Sequence, residues 1–185
     1  MCPYCDFAVE VGTPEHDAYL RAILSELSAR APRFEGHELV SIYFGGGTPS
    51  LWRADCLAEV VAAVEARFAG ASREITIEAN PTDITDANLA AWRAAGIDRI
   101  SIGVQSLAAD ELVVLGRDHR FGDGPAALAR VVAHGGFSAS CDLILGTPTA
   151  RAYDTRWIDA IASDHLSVYE LTIEERTAFG QRVKT

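Results

Sequence analysis

At 185 residues, 49% hydrophobic and 23% charged, the chain is long enough to bury a sizeable core and too apolar to stay disordered. A formal net charge of −10 with no Lys/Arg cluster repels phosphate backbones and excludes nucleic acid as an expected partner. No apolar run approaches the roughly 18 residues a bilayer span requires, and no basic segment followed by an apolar one opens the chain, so neither a membrane span nor a secretion signal is expected.

In chain order, Thr13 and Pro14 supply a cap and first turn for a helix whose apolar face is Leu20, Ile23, Leu24 and Leu27. The run 39–44 reads as a short strand that ends in Gly45-Gly46-Gly47. Leu57, Val60, Val61, Val64 and Phe68 mark a helix closed by Gly70. Residues 75–78 form a strand, and Thr85 caps a helix that passes through Leu89 and Trp92 and stops at Gly96. The pattern then predicts a strand over 99–104, a short helix over 110–115, a helix over 126–134 that halts at Gly135-Gly136, and a strand over 141–145 that ends at Gly146. A helix over 157–162 and a strand over 166–169 complete it. Strands separated by helical sequence imply parallel βαβ units in one α/β domain over residues 1–185. The unit length suits a (β/α) barrel, and a doubly wound open sheet gives the same periodicity.

Ligand-competent residues recur at or just past the C-terminal ends of these strands. They are the glycines with Thr48, then Glu78, Gln105, Asp142 and Glu170. In parallel α/β folds that edge is where ligands bind, although strand ends also turn polar simply by becoming loops. Glycines there let backbone approach a ligand that a side chain would hold off. Asp142 stands beside Leu143, Ile144 and Leu145, where an unpaired carboxylate is costly to bury. It requires either a ligand or a structural partner such as a backbone amide or an arginine. Arg117 alone reads as surface.

Four cysteines, Cys2, Cys5, Cys56 and Cys141, lack a disulfide framework spacing, which favours reduced thiols and a cytoplasmic location. Cys56 sits among apolar residues on a helix and reads as packed. Cys141 alternates against Asp142 and faces a helix. The pair in Cys2-Pro3-Tyr4-Cys5 has three readings: surface or half-zinc thiols, a dithiol redox couple of the glutaredoxin type, or an iron–sulfur site. Zinc lacks a second C-x-x-C here, and a glutaredoxin needs a strand before the motif. The five histidines, His16, His37, His119, His134 and His165, show no ligand spacing, and Trp52, Trp92 and Trp157 read as core or interface residues.

Six blocks in order carry a resemblance: Cys2 to Phe7, Tyr43 to Ser50, Ile77 to Pro81, Ser101 to Ser106, Asp142 to Pro148, and Ser167 to Glu174. Together the chain resembles the radical S-adenosylmethionine (SAM) proteins of the oxygen-independent coproporphyrinogen III oxidase family. The resemblance implies a partial (β/α) TIM-type barrel, a radical SAM core. Cys2 and Cys5 match the second and third cysteines of the family's C-x3-C-x2-C motif, which holds a [4Fe–4S] cluster with one open iron. The first cysteine, the first strand and a cofactor-contacting tyrosine would lie before Met1, and the family continues past residue 185, so the chain is expected to be a fragment at both ends. Also by resemblance, the backbone of Gly46, Gly47 and Thr48 lies against the methionyl amino group, and Glu78, Gln105, Arg117 and Asp142 match further cofactor-contacting positions. Carboxylates suit the ammonium and ribose hydroxyls, and a forked guanidinium suits the methionyl carboxylate.

Family dehydrogenases carry a fourth cysteine where this chain has Phe7. Cys-Asp-Phe in that place, and the block from Ser167 to Glu174, resemble the paralogous haem-chaperone (HemW-type) branch. That branch implies haem as cargo and a haem-receiving respiratory protein as partner. The segment from Thr149 to Asp164 is a few residues shorter than the family pattern. Three functions stand as expectations: a radical SAM haem chaperone, an oxidase that converts coproporphyrinogen III to protoporphyrinogen IX, and a thiol–disulfide oxidoreductase built on Cys2 and Cys5.

Overall fold

The computed structural model describes residues 2–8, 12–70, 74–150 and 161–183. Five strands form one sheet: β1 (Ser41–Phe44), β2 (Glu74–Ala79), β3 (Arg99–Gln105), β4 (Ser138–Leu145) and β5 (His165–Glu170). Their spatial order is their chain order, and every neighbouring pair is parallel. A doubly wound sheet reverses direction at a switch point. Here each crossover steps the same way, as in a barrel, and the sheet is a half-barrel backed by helices.

The strand sequences explain which face is which. Ile75, Ile77 and Ala79 on β2, Ile100, Ile102 and Val104 on β3, and Ala139, Cys141 and Leu143 on β4 are buried together in the core cluster. Side chains alternate across a strand, so the intervening Thr76, Glu78, Ser101, Gly103, Ser140 and Asp142 share the opposite, concave face. The helical layer closes the apolar face. Among the described residues it consists of α1 (His16–Arg30), α2 (Ala54–Arg67), α3 (Asp86–Ala94) and α5 (Asp123–His134), while the short α4 (Ala109–Val114) and α6 (Ala178–Val183) lie outside the core cluster.

The core takes Leu57, Val60 and Val61 from α2, Leu89 and Trp92 from α3, and Leu128 and Val131 from α5. Cys56 is 1% exposed and packed among them, as its apolar context predicts. The Thr85 hydroxyl accepts from the Asn88 N–H at 3.1 Å, so this predicted cap forms. Trp52 is buried, and its indole N–H donates to the His16 carbonyl at 3.2 Å, which pins the start of α1.

Two elements begin three residues earlier than predicted, α5 at Asp123 and β4 at Ser138, and three further expectations change. The first helix is capped at Glu15 and starts at His16, two residues after the predicted Thr13 cap, and no side chain caps it. The first strand begins at Ser41: Leu39 and Val40 stay outside the ladder, and before them Glu38 makes an isolated bridge with Ala69. The predicted 157–162 helix falls mostly outside the described residues, as does Trp157, and Ile161 and Ala162 are not helical. No described helix is long and apolar enough to cross a membrane.

Candidate functional site

The C-terminal ends of β1 and β2 meet at Glu78. The Tyr43 hydroxyl donates to one carboxylate oxygen at 2.8 Å and the Gly46 N–H to the other at 3.0 Å. Glycine is required at position 45: a Cβ there would stand 2.6 Å from Tyr43 Cε1 and 3.0 Å from Glu78 Oε1. Gly46 has φ +121°, a conformation L side chains rarely adopt. Thr48 is half-buried beside these glycines, and its carbonyl accepts the Leu51 N–H at 3.1 Å, which starts a short 3-10 turn over Pro49–Leu51. Desolvation and the adjoining Glu78 push the Tyr43 phenol well above its ordinary value.

On β3 and β4 the concave face carries Asp142. The Ser101 hydroxyl reaches both its oxygens, at 2.9 and 2.8 Å, and the Ser140 hydroxyl lies 3.5 Å from one of them. Burial raises the Asp142 carboxyl above the usual range, the hydrogen bonds from Ser101 and Ser167 oppose that, and repulsion from Glu78 adds to it. Its structural partners are therefore serine hydroxyls, not the amide or arginine the sequence suggested. On the opposite face, burial holds the Cys141 thiol up at about 12, so it stays protonated.

Arg117 is not surface. It follows α4 and turns inward, where Nη2 donates to Asn80 Oδ1 at 2.6 Å and to the Gly103 carbonyl at 3.3 Å, and Nη1 lies 3.4 Å from Cys2 Sγ. Its Nε is buried without a partner. Gln105 borders the same space: a Cβ on Gly103 would lie 2.7 Å from Gln105 Nε2 and 3.5 Å from Arg117 Nη2.

Cys2 and Cys5 flank a tight turn in which the Cys5 N–H donates to the Cys2 carbonyl at 3.2 Å, and both thiols are half-buried. Pro3 packs on Gly116, where a Cβ would stand 2.7 Å from Pro3 Cδ. Burial and the neighbouring Cys2 push the Tyr4 phenol up to about 12. The loop is thereby fixed beside Arg117, and through Arg117 to the ends of β2 and β3. Glu170 is exposed at the end of β5.

The C-terminal ends of the strands thus carry two groups on one rim: Gly46 with Glu78, whose charge reaches Asp142, and Gln105 with Arg117 and Cys2. Tyr43, Asn80 and Ser101 also belong to this rim. The sequence marked them only as members of matching blocks; the alternation of serines against apolar residues on β3 and β4 is the signal that placed Ser101 on the face of Asp142.

The radical SAM superfamily model matches residues 1–152. The chain belongs to the radical SAM superfamily. Among curated relatives, the haem chaperone HemW of Escherichia coli strain K12 is 37% identical over 98% of this chain and 50% of its own length. The haem chaperone HemW of Mycobacterium tuberculosis is 36% identical over 99% of this chain and 49% of its own length. The mouse mitochondrial radical S-adenosyl methionine domain-containing protein 1 is 36% identical over 99% and 43%. The chain spans about half the length of these relatives. Among solved structures, the E. coli coproporphyrinogen III oxidase HemN, described as a radical SAM enzyme, matches with a TM-score of 0.83 at 27% identity, over 98% of this chain and 44% of that one. The Kitasatospora setae methyltransferase TsrM matches at TM-score 0.63 and 13% identity, a likeness of fold alone.

Membership implies a [4Fe–4S] cluster and SAM. The rim's chemistry suits SAM: it offers carboxylates for cationic and hydroxyl groups, a guanidinium with an unpartnered buried Nε, and glycines that keep side chains out of the cradle. For the cluster it offers two half-buried thiols, with the other two cysteines buried on the apolar side. Among the described residues no third Cys, His, Asp or Glu stands near enough to complete a metal site.

Proposed function

We propose that this chain is the SAM-binding core of a cytoplasmic haem chaperone that binds haem and passes it to a respiratory protein. The rim that runs from the glycine cradle through Glu78, Asp142 and Gln105 to Arg117 and the cysteine loop carries the reading. The 36–37% identity to proteins named as haem chaperones directs it toward haem.

In this reading Cys2 and Cys5 supply two thiolates to the cluster, and the backbone of Gly46, Gly47 and Thr48 faces the methionyl amino group. Glu78 surrenders the Gly46 N–H and accepts from the cation in its place. Arg117 is already held by Asn80 and Gly103 and offers its unpartnered Nε–H to the carboxylate. Asp142 and Gln105 take the ribose and neighbouring polar groups. When bound, the cluster and SAM supply one-electron chemistry that side chains alone do not.

The second reading is an oxygen-independent coproporphyrinogen III oxidase, favoured by the 0.83 TM-score to HemN. Haem titration and porphyrinogen turnover, measured on protein spanning the relatives' full length, separate the two. Stoichiometric haem binding without decarboxylation of coproporphyrinogen III is expected; turnover without stoichiometric binding overturns the chaperone reading. The dithiol reading loses its footing in the local geometry. Among the described residues the Cys2–Cys5 turn opens no helix, and α1 begins at His16, so the helix-start placement of a glutaredoxin-type nucleophile is not met. Disulfide reduction by the chain in air would restore it.

A further inference from the structure

Gln105 is the one non-glycine with positive φ among the described residues, at +66°. The Ser106 N–H donates to the Val104 carbonyl at 2.8 Å, closing a three-residue γ-turn about Gln105. The positive-φ γ-turn is rare and strained, and such strain persists only where its surroundings over-determine it. At the same point the pairing of β3 with β4 slips register between Ile102 and Gln105.

The surroundings do over-determine it. Before Gln105, the Val104 side chain is fully buried and pinned by Gly124 of α5, where a Cβ would stand 2.6 Å from Val104 Cγ1. The Val104 carbonyl also meets His119 Nε2 at 3.0 Å. A carbonyl has two acceptor sites, and Ser106 and His119 use both, so Nε2 is the protonated nitrogen. His119 is 4% exposed and its Nδ1 has no partner, which leaves no other visible polar task for the ring. After Gln105, the Ser106 hydroxyl donates to Glu111 in a short bond and accepts from the Ala108 N–H at 3.0 Å. Ser106 and Glu111 are 7% and 8% exposed.

We propose that Ser106, Glu111 and His119 are positioning residues: a brace that locks Gln105 in its γ-turn so that its carboxamide is held over Gly103, beside Arg117, in the geometry bound SAM requires. The proposal deepens the reading above and rests on Gln105 being a SAM contact. The strain is stored before the ligand arrives, so the amide need not be ordered on binding.

Two measurements on the full chain test it. The first is thermal melting without ligand. At an ordinary strand position glycine is less stable than alanine; here Gln105→Gly should melt higher than Gln105→Ala, and that advantage should shrink in a Ser106→Ala background, where the turn can relax. A lower or equal Tm for Gln105→Gly overturns the strained brace, whatever the ligand. The second is calorimetric titration with SAM on protein spanning the relatives' full length, oxidised and cluster-reconstituted, where no cleavage occurs. Gln105→Ala and Ser106→Ala should each weaken binding about tenfold, and together no more than either alone. Glu111→Gln keeps an acceptor for Ser106 and should retain most of the affinity. Additive losses mean a general structural effect and overturn the brace. No loss in Gln105→Ala, or no binding by the unaltered chain, overturns the site reading instead.

Discussion

Asp142 shows how a single carboxyl reports its own surroundings. Its folded pKa is raised by burial, so the protonated form is favoured in the fold. The sign follows: its contribution to stability is full below the unfolded value of 3.8 and is lost as pH rises through the folded value. At pH 7 the charge is therefore a cost, and Asp142→Asn should raise Tm by about 3 °C, equivalent to about 1 kcal/mol at this chain length, while weakening SAM binding. Differential scanning calorimetry with a parallel titration checks both halves; a lower Tm would mean that the carboxylate is stabilised by more than serine hydroxyls. His119 carries the opposite sign. Burial and Arg117 hold its pKa below the ordinary 6.5, against the weaker pull of the Val104 carbonyl, Asp118 and Asp123, so its ring stays neutral. Stability is full above 6.5 and falls as pH drops through the folded value. The midpoint of urea unfolding should fall as pH is taken below 6.5, and less so in His119→Gln. Asp142 was legible in the sequence because a carboxylate among leucines needs a reason. Arg117 was marked only by its place in the family pattern, because a turn residue after a short helix carries no periodicity, and its contacts with Asn80 and Cys2 reveal its direction.

Among the elements, β2, β3 and β4 were the most legible, since their isoleucines and valines alternate with small polar residues and a parallel sheet buries the apolar set under helices. Helix starts were read less well. Thr85 met its capping partner Asn88, whereas Thr13 had the right chemistry two residues too early, in a stretch where Trp52 and His16 decide the start through tertiary contact. The choice between barrel and open sheet was invisible to periodicity and is settled by strand order alone. Helix α6 was not anticipated; it is only six residues long and follows no apolar repeat. Gly124 illustrates packing between elements. It lies in the first turn of α5 with no special φ, yet it cannot carry a Cβ without striking Val104. Gly124→Ala should cost about 1–3 kcal/mol as α5 is pushed off β3, despite the better helix propensity of alanine. A Tm increase would show that the contact yields freely.

At the scale of the whole molecule, distant parts of the chain meet at the thiols. The Phe179 N–H donates to the Pro3 carbonyl at 3.0 Å, its ring lies 6.5 Å from that of Tyr4, and Arg176 meets Asp6 at 2.8 Å. The ion pair is exposed on the arginine side and contributes little; Phe179, 5% exposed, is the anchor. Phe179→Ala should destabilise by about 3 kcal/mol and speed alkylation of Cys2 and Cys5 by iodoacetamide, with Cys56 and Cys141 staying unlabelled until global unfolding. Labelling of all four at one rate would refute the burial pattern. Anaerobic reconstitution of this chain should yield well below the roughly four irons of a full cluster, because the rim offers two thiolates and the other cysteines face the core. Near-stoichiometric iron would require a ligand beyond these residues.

The contact between Phe179 and Pro3 also sets an order of events. The thiol turn leaves the ribosome long before residue 179 does, and until then nothing from the C-terminal segment secures its outer side. The outer side of the turn is therefore covered only once this stretch has been made, and a product that stops short of residue 179 would leave the two thiols open to oxidation.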